Sequence, residues 1–114
     1  MMANLSIVTD STQNVAVMKV KGRVDSNTAS ELDNALENLL NSNKDKIVLD
    51  LENVDYLSSA GLRALVKALK DAQKSGGDLR LAAVSEPIDV ILRTVGMLQM
   101  FKMFPNNEEA VASF

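Results

Sequence analysis

The chain reads as an α/β domain, a mixed and mostly parallel sheet of about five strands sandwiched with about four helices. Three observations predict it. From Val15 onward, segments of strand character alternate with segments whose apolar residues recur at helical spacing. Ile47-Val48-Leu49 is continuously apolar, as a central strand covered on both faces must be. Pro87, Gly76-Gly77 and Gly96 stand where helices would start or stop. With 114 residues and 46% hydrophobic content, residues 1–114 are expected to form one unit around one core.

Taken in order, Leu5 to Thr9 alternates apolar and polar residues, Asp10 to Asn14 reads as a polar turn, and Val15 to Val20 resumes as a second strand, giving a hairpin. Gly22 to Asn27 is a connection. Thr28 and Glu31 have the spacing of a capping box, and Leu32, Leu36, Leu39 and Leu40 give the following helix one apolar face. Lys46 to Leu51 is the central strand. The next helix carries Leu62, Leu65, Val66 and Leu69 and stops at Gly76-Gly77, residues suited to a left-handed cap. Asp78 to Ala83 is a strand, and Pro87 opens a helix with Ile88, Ile91, Leu92 and Val95 on one side. Met100 to Phe104 reads as the last strand, with Met97, Met100, Phe101, Met103 and Phe104 packing into the core there. Asn106 to Glu109 starts a short terminal helix. Parallel strands joined by crossovers place their carboxyl ends along one edge, so the loops at Asp25, at Ser58-Ser59 and at Ser85 are expected to share it.

Composition removes several classes of function. There is no Cys and no His, which excludes disulfides, thiolate nucleophiles, imidazole bases and the common zinc sets, so no metal or cofactor is expected. A net charge of −3 with one Tyr, three Phe and no Trp leaves neither a basic stripe nor a stacking platform for nucleic acid. No long apolar run suggests a membrane span, and no basic segment followed by an apolar one suggests a signal peptide, so a cytoplasmic protein is expected.

The junction from Val48 to Leu62 carries the chemistry. An apolar strand runs into Ser58 and Ser59, which open a helix whose first turn has unpaired N–H groups and a partial positive charge. A serine there is ordinarily an N-cap, worth about 1 kcal/mol, or it can accept a phosphate with electrostatic help. Gly61 costs the helix about 1 kcal/mol relative to Ala and so points to close approach by another group. Arg63 opposes the helix dipole, a placement suited to a visiting anion, although a solvated charge is its plainer reading. Lys67, Lys70 and Lys74 lie at helical spacing as a wet face. A serine enzyme would need a lysine base, and positions 61 and 62 are Gly and Leu, so no Ser-x-x-Lys spacing follows either serine.

Gly22-Arg23-Val24-Asp25, Ile47-Val48-Leu49-Asp50-Leu51, Tyr56-Leu57-Ser58-Ser59-Ala60-Gly61-Leu62 and Gly76-Gly77 together resemble the STAS domain of bacterial anti-sigma factor antagonists. The resemblance covers nearly the whole chain. It implies a regulatory module, not an enzyme: unmodified, it binds an anti-sigma factor with a GHKL-type serine kinase fold, and phosphorylation of one serine ends that binding until a serine phosphatase reverses it. Placed on Gly61, the family's Asp-Ser-Ser/Thr-Gly-Leu run selects Ser59, with Ser58 as the rival acceptor. Here Ser58 stands where the aspartate is usual and Ala60 where the second hydroxyl is usual. The resemblance further implies a partner surface around Asp25, Ser58, Ser59, Gly61, Leu62 and Arg63, while Asp25 could equally cap the first helix or complete its turn. Two other functions compete: a STAS subunit of another signalling or lipid-transport assembly, and a module binding a nucleotide or small anion at the same helix start.

Overall fold

A computed structural model describes residues 5–114. The chain runs through β1 (Ser6–Thr12), β2 (Val15–Val24), α1 (Ala29–Asn41), β3 (Lys46–Leu57), α2 (Ser59–Lys74), β4 (Asp78–Ala82), α3 (Glu86–Thr94), a 3-10 turn at Leu98–Met100, β5 (Met103–Phe104) and α4 (Asn107–Ala112). The strands form one sheet in the order β1-β2-β3-β4-β5. β1 is antiparallel to β2 at the edge, and the other neighbours are parallel. This is the mixed, mostly parallel α/β sheet that the strand and helix periodicities require.

The two faces of the sheet are covered unequally. Leu32 and Leu36 of α1, Leu65 and Leu69 of α2, and Ile88 and Leu92 of α3 pack with Met18, Leu49, Leu51 and Leu81 into the larger core. Each such leucine stabilises the fold by about 1.5–3 kcal/mol relative to leaving it in water. On the opposite face, Ala110 and Val111 of α4 cover Val15, Val17, Val48 and Ala82. Ile47, Val48 and Leu49 have no exposed surface, so β3 is the buried central strand. Two polar contacts pin α4: Asn107 Nδ2 donates to the buried Asp50 at 2.9 Å, and Arg80 Nη1 donates to the Ser113 carbonyl at 2.6 Å while its guanidinium stacks on Phe114.

Several boundaries differ from the sequence reading, each for a physical reason. β1 continues through Asp10 to Thr12, and the turn is only Gln13-Asn14, both at positive φ (52° and 66°), between the paired Thr12 and Val15. An edge strand wet on both sides need not alternate, so its polar run resembled a loop. β3 extends beyond Leu51 to Leu57; past the end of its pairing with β4 at Asp50 it keeps only β2 as a neighbour, and Glu52, Asn53 and Asp55 face solvent. β4 ends at Ala82 because Ala83 adopts φ 51°. Met100–Phe104 is not one strand: Met100 belongs to the 3-10 turn, Phe101 drops into the core from the loop, and only Met103–Phe104 pair with Leu81–Ala82. Met100, at 44% exposure, stays outside that core. Val95 is 49% exposed rather than on the apolar side of α3, because the helix stops at Thr94 and Gly96 turns the chain at φ 73°.

The glycine pair after α2 divides two tasks. Gly76 takes φ 90°, and the Gly77 N–H closes the helix end on the Ala72 carbonyl at 2.8 Å. A Cβ on Gly77 would lie 1.9 Å from the Asp45 carbonyl oxygen, whereas one on Gly76 would meet open space. Gly77→Ala must therefore push apart the starts of β3 and β4. It is expected to cost at least about 3 kcal/mol in urea unfolding, well beyond the about 1 kcal/mol for the left-handed strain of Gly76→Ala. Equal losses for the two variants would refute the backbone-contact account.

Candidate functional site

The carboxyl ends of β2 and β3 are tied together. Val24 pairs with Leu57, and the Ser58 N–H donates to the Val24 carbonyl at 2.8 Å. Asp25 and the serines therefore follow adjacent strand ends. One strand over, the Ser85 hydroxyl donates to the Val54 carbonyl at 2.5 Å, which fixes the β4–α3 loop against β3. The expected common edge of Asp25, Ser58-Ser59 and Ser85 is present.

The two serines do different things. Ser58 is the N-cap of α2: in extended backbone geometry, its Oγ accepts the Gly61 N–H at 3.2 Å and its carbonyl accepts the Leu62 N–H at 2.9 Å. Ser59, the first helical residue, is exposed. At any α-helix start the N–H groups of the first residues have no intrahelical acceptor, and those of Ser59 and Ala60 are in that position. The site thus offers one free hydroxyl in a field that favours negative charge.

Gly61 is the hinge of this placement. A Cβ there would lie 2.6 Å from Leu57 Cδ1 and 2.7 Å from Val24 Cγ1. The close approach inferred from sequence is real, and the approaching groups are the protein's own core rather than a ligand. Leu62, 7% exposed, also turns into the core. Of the residues grouped by sequence, Asp25, Ser58, Ser59 and Arg63 form the outer surface of the junction; Gly61 and Leu62 anchor it from beneath.

Asp25 is a capping residue. Its Oδ1 accepts the N–H groups of Asn27 at 2.9 Å and Thr28 at 3.0 Å. These bonds, Thr28 first and Asn27 second, hold its carboxyl below the ordinary 3.8 against the opposing effect of burial. The Thr28–Glu31 capping box is absent. Thr28 is in helical geometry with no side-chain cap bond; its hydroxyl turns back to donate to the Arg23 carbonyl at 2.7 Å and to accept the Asp25 N–H at 3.0 Å. Asp25 takes over the role because the loop folds as a tight turn closed by its carbonyl on the Ala29 N–H.

Three features were not found by sequence reasoning. Arg23 lies over the Tyr56 ring at 4.0 Å to its centroid, a cross-strand pair set by the β2–β3 register. Ser85 braces Val54. A groove of about 680 Å³ runs from Ser59 along α2 to Val95 and Met97. None had a clean sequence signal: β2 runs on to Val24 instead of giving way to a connection after Val20, and β3 runs past Leu51, so Arg23 and Tyr56 lie outside the strands the sequence marks. Lys67 is drawn to α1, with Asp33 first and Glu37 second raising its pKa. No group of acidic residues that could hold a metal occurs among the described residues, and no helix there is long and apolar enough to cross a membrane.

A family model, the STAS domain, matches residues 6–110. The anti-sigma-B factor antagonist of Staphylococcus aureus is 29% identical over 105 residues, covering 92% of this chain and 97% of its own. An anti-sigma factor antagonist from Mycobacterium paratuberculosis superimposes with a TM-score of 0.86 at 23% identity, over 96% of this chain and 93% of that one. The phosphorylated form of the Bacillus cell fate determinant SpoIIAA superimposes with a TM-score of 0.74 at 15% identity, over 95% and 98%.

Two measurements separate the roles drawn above. Ser58→Ala removes a cap bond and is expected to cost about 1 kcal/mol in chemical unfolding, whereas Ser59→Ala is expected to stay within about 0.5 kcal/mol of the parent. The depressed carboxyl of Asp25 adds stability at pH values above its ordinary value, and that stability fades as pH falls through the lower folded-state value. Asp25→Asn, which keeps an acceptor but cannot titrate, should flatten that part of the acid limb when urea midpoints are followed from about pH 5 to about pH 2. An unchanged limb would show that the cap is not charge-dependent.

Proposed function

The chain belongs to the STAS domain family, and on that premise we propose that it is an anti-sigma factor antagonist whose grip on its partner is set by phosphorylation of Ser59. Unmodified, it binds an anti-sigma factor that carries a GHKL-type serine kinase fold and so frees a sigma factor. The partner transfers phosphate to Ser59, the complex dissociates, and a serine phosphatase restores the binding form. The name of the Staphylococcus aureus relative supports the antagonist role. The chain is substrate rather than catalyst, in keeping with its lack of His and Cys.

One observation carries the choice of residue: Ser58 Oγ is engaged on the Gly61 N–H, while Ser59 is exposed at the first position of α2. In the transfer, Ser59 Oγ forms a bond to the γ-phosphorus of ATP, the bond from that phosphorus to the ADP oxygen breaks, and the hydroxyl proton passes to a base on the kinase. The product carries about −1.5 to −2 charges at neutral pH and three acceptor oxygens. The N–H groups of Ser59 and Ala60, which lack intrahelical acceptors, favour such a charge at the helix start. A partner seated on the same edge faces overlap, desolvation and repulsion. A loss of about 3–4 kcal/mol weakens such a complex a few hundredfold, enough to exchange partners.

The direct test is calorimetric titration of the purified anti-sigma factor from the source organism. Ser59→Asp or stoichiometric phosphate on Ser59 should reduce affinity by at least about tenfold, with Ser59→Ala near the parent value. Phosphopeptide mass spectrometry after incubation with that kinase and ATP should place the phosphate on Ser59. Modification confined to Ser58, or full affinity in the phosphorylated chain, would overturn the assignment.

A further inference from the structure

We propose that the groove along α2 seats an acidic, amphipathic helix of the anti-sigma partner, and that phosphate on Ser59 shuts this seat by claiming Arg63. The proposal rests on the partner-switching reading above and adds where and how the partner is held. The groove encloses about 680 Å³ between α2 and the chain after α3. Leu62, Val66, Val95 and Met97 supply its apolar lining, and Val95 stands 49% exposed although it continues the apolar spacing of α3. Arg63, Lys67, Lys70 and Lys74 line it as cations, opposed there only by Asp71.

The charge identifies the occupant. The whole chain is acidic, with a net charge of −3, yet this groove is rimmed by four cations and one carboxylate. Lys67 is already engaged by Glu37 at 3.4 Å and Asp33 at 4.0 Å on α1, whereas Arg63, Lys70 and Lys74 have no carboxylate within 4.0 Å among the described residues. Like charges along one helix face, at positions 63, 67, 70 and 74, cost stability, and an acidic partner relieves that cost.

The walls fix the occupant's form. They are helical on the α2 side and offer no unpaired strand edge, so backbone pairing is unavailable. A ligand must present side chains to an apolar floor, as an amphipathic helix does. From Ser59 to Lys74 the wall is 16 residues, about 22 Å at the α-helical rise, which matches a helix of about four turns.

Regulation follows from spacing. Ser59 and Arg63 are four residues apart on α2, which puts their Cβ atoms about 5–6 Å apart, with the anion on the favoured, N-terminal side of the cation. Phosphate on Ser59 gains a charge-assisted bond from Arg63 and withdraws that cation from the rim. It also sets a double negative charge at the mouth an acidic helix must enter. A modification at one end of the groove thereby weakens contacts along its length.

The test uses the full chain and a fluorescein-labelled amphipathic peptide of Leu and Glu, about 16 residues long, with its Leu and Lys counterpart as control, read by anisotropy at low salt. The Leu/Glu peptide should bind at least about tenfold more tightly than the Leu/Lys peptide, and Lys70→Glu combined with Lys74→Glu, or Val95→Asp alone, should remove most of that preference without lowering the melting temperature. No preference, or no effect of these surface changes, overturns the seat. With the purified anti-sigma factor in place of the peptide, the lysine pair and Ser59→Asp should each weaken binding. If only Ser59→Asp does so, the groove is refuted and the switch stands; if only the lysine pair does so, the groove stands and the switch falls.

Discussion

The pinch between Gly61, Val24 and Leu57 sets the position of everything that matters at this site. Because a methyl group on Gly61 would displace the Leu57 and Val24 side chains, the first turn of α2 rests directly on the residues that end β3 and β2. The Ser58 N–H bond to the Val24 carbonyl holds the same junction from the backbone side. Two neighbouring strand ends and one helix start are thereby held in a single arrangement, with Ser59 exposed on its outer side. The glycine's helix penalty, about 1 kcal/mol, is the cost of this precision.

In the proposed switch, stability and regulation fall to adjacent hydroxyls. Ser58 is spent on holding the helix, and its partner atoms are internal. Ser59 contributes nothing that the fold requires, so its chemistry can change while the domain stays as it is. The same economy appears at the first helix, where Asp25 rather than Thr28 supplies the cap and Thr28 closes the preceding turn. A carboxylate that is already satisfied by its own backbone is a poor candidate to move when a partner docks. It shapes the edge by holding the turn that precedes α1.

Where sequence and structure agree, the reason is strong periodicity. Leu65 and Leu69, Ile88 and Leu92, and the solid Ile47-Val48-Leu49 run announce their elements because burial on a helix face or in a central strand tolerates nothing else. Asn106 announces the last helix by its cap, and it accepts the Glu109 N–H at 2.8 Å. The misread boundaries lie where burial is one-sided or missing. Asp10 to Thr12 and Glu52 to Leu57 are strands, but one sits at a wet edge and the other has lost β4 as neighbour, so neither shows a clean pattern. Thr28 and Glu31 had the right spacing and the wrong geometry, since a hydroxyl follows the nearest carbonyl and the local turn brought Arg23 closer. At the site, the serine pair and Gly61 were legible in order along the chain; which hydroxyl was free depended on a hydrogen bond that spacing alone could not assign. The groove was illegible because its two sides lie far apart in sequence.

The hairpin at Gln13-Asn14 has a use of its own. β2 leaves that turn and travels ten residues to reach Asp25's end of the sheet, a span of about 30 Å. The turn therefore occupies the pole opposite the serines, is built from two residues in left-handed geometry, and buries neither side chain. A dye, an affinity handle or a tether to a surface can be mounted there, so that a docking event is watched from the far side of the molecule without obstructing it.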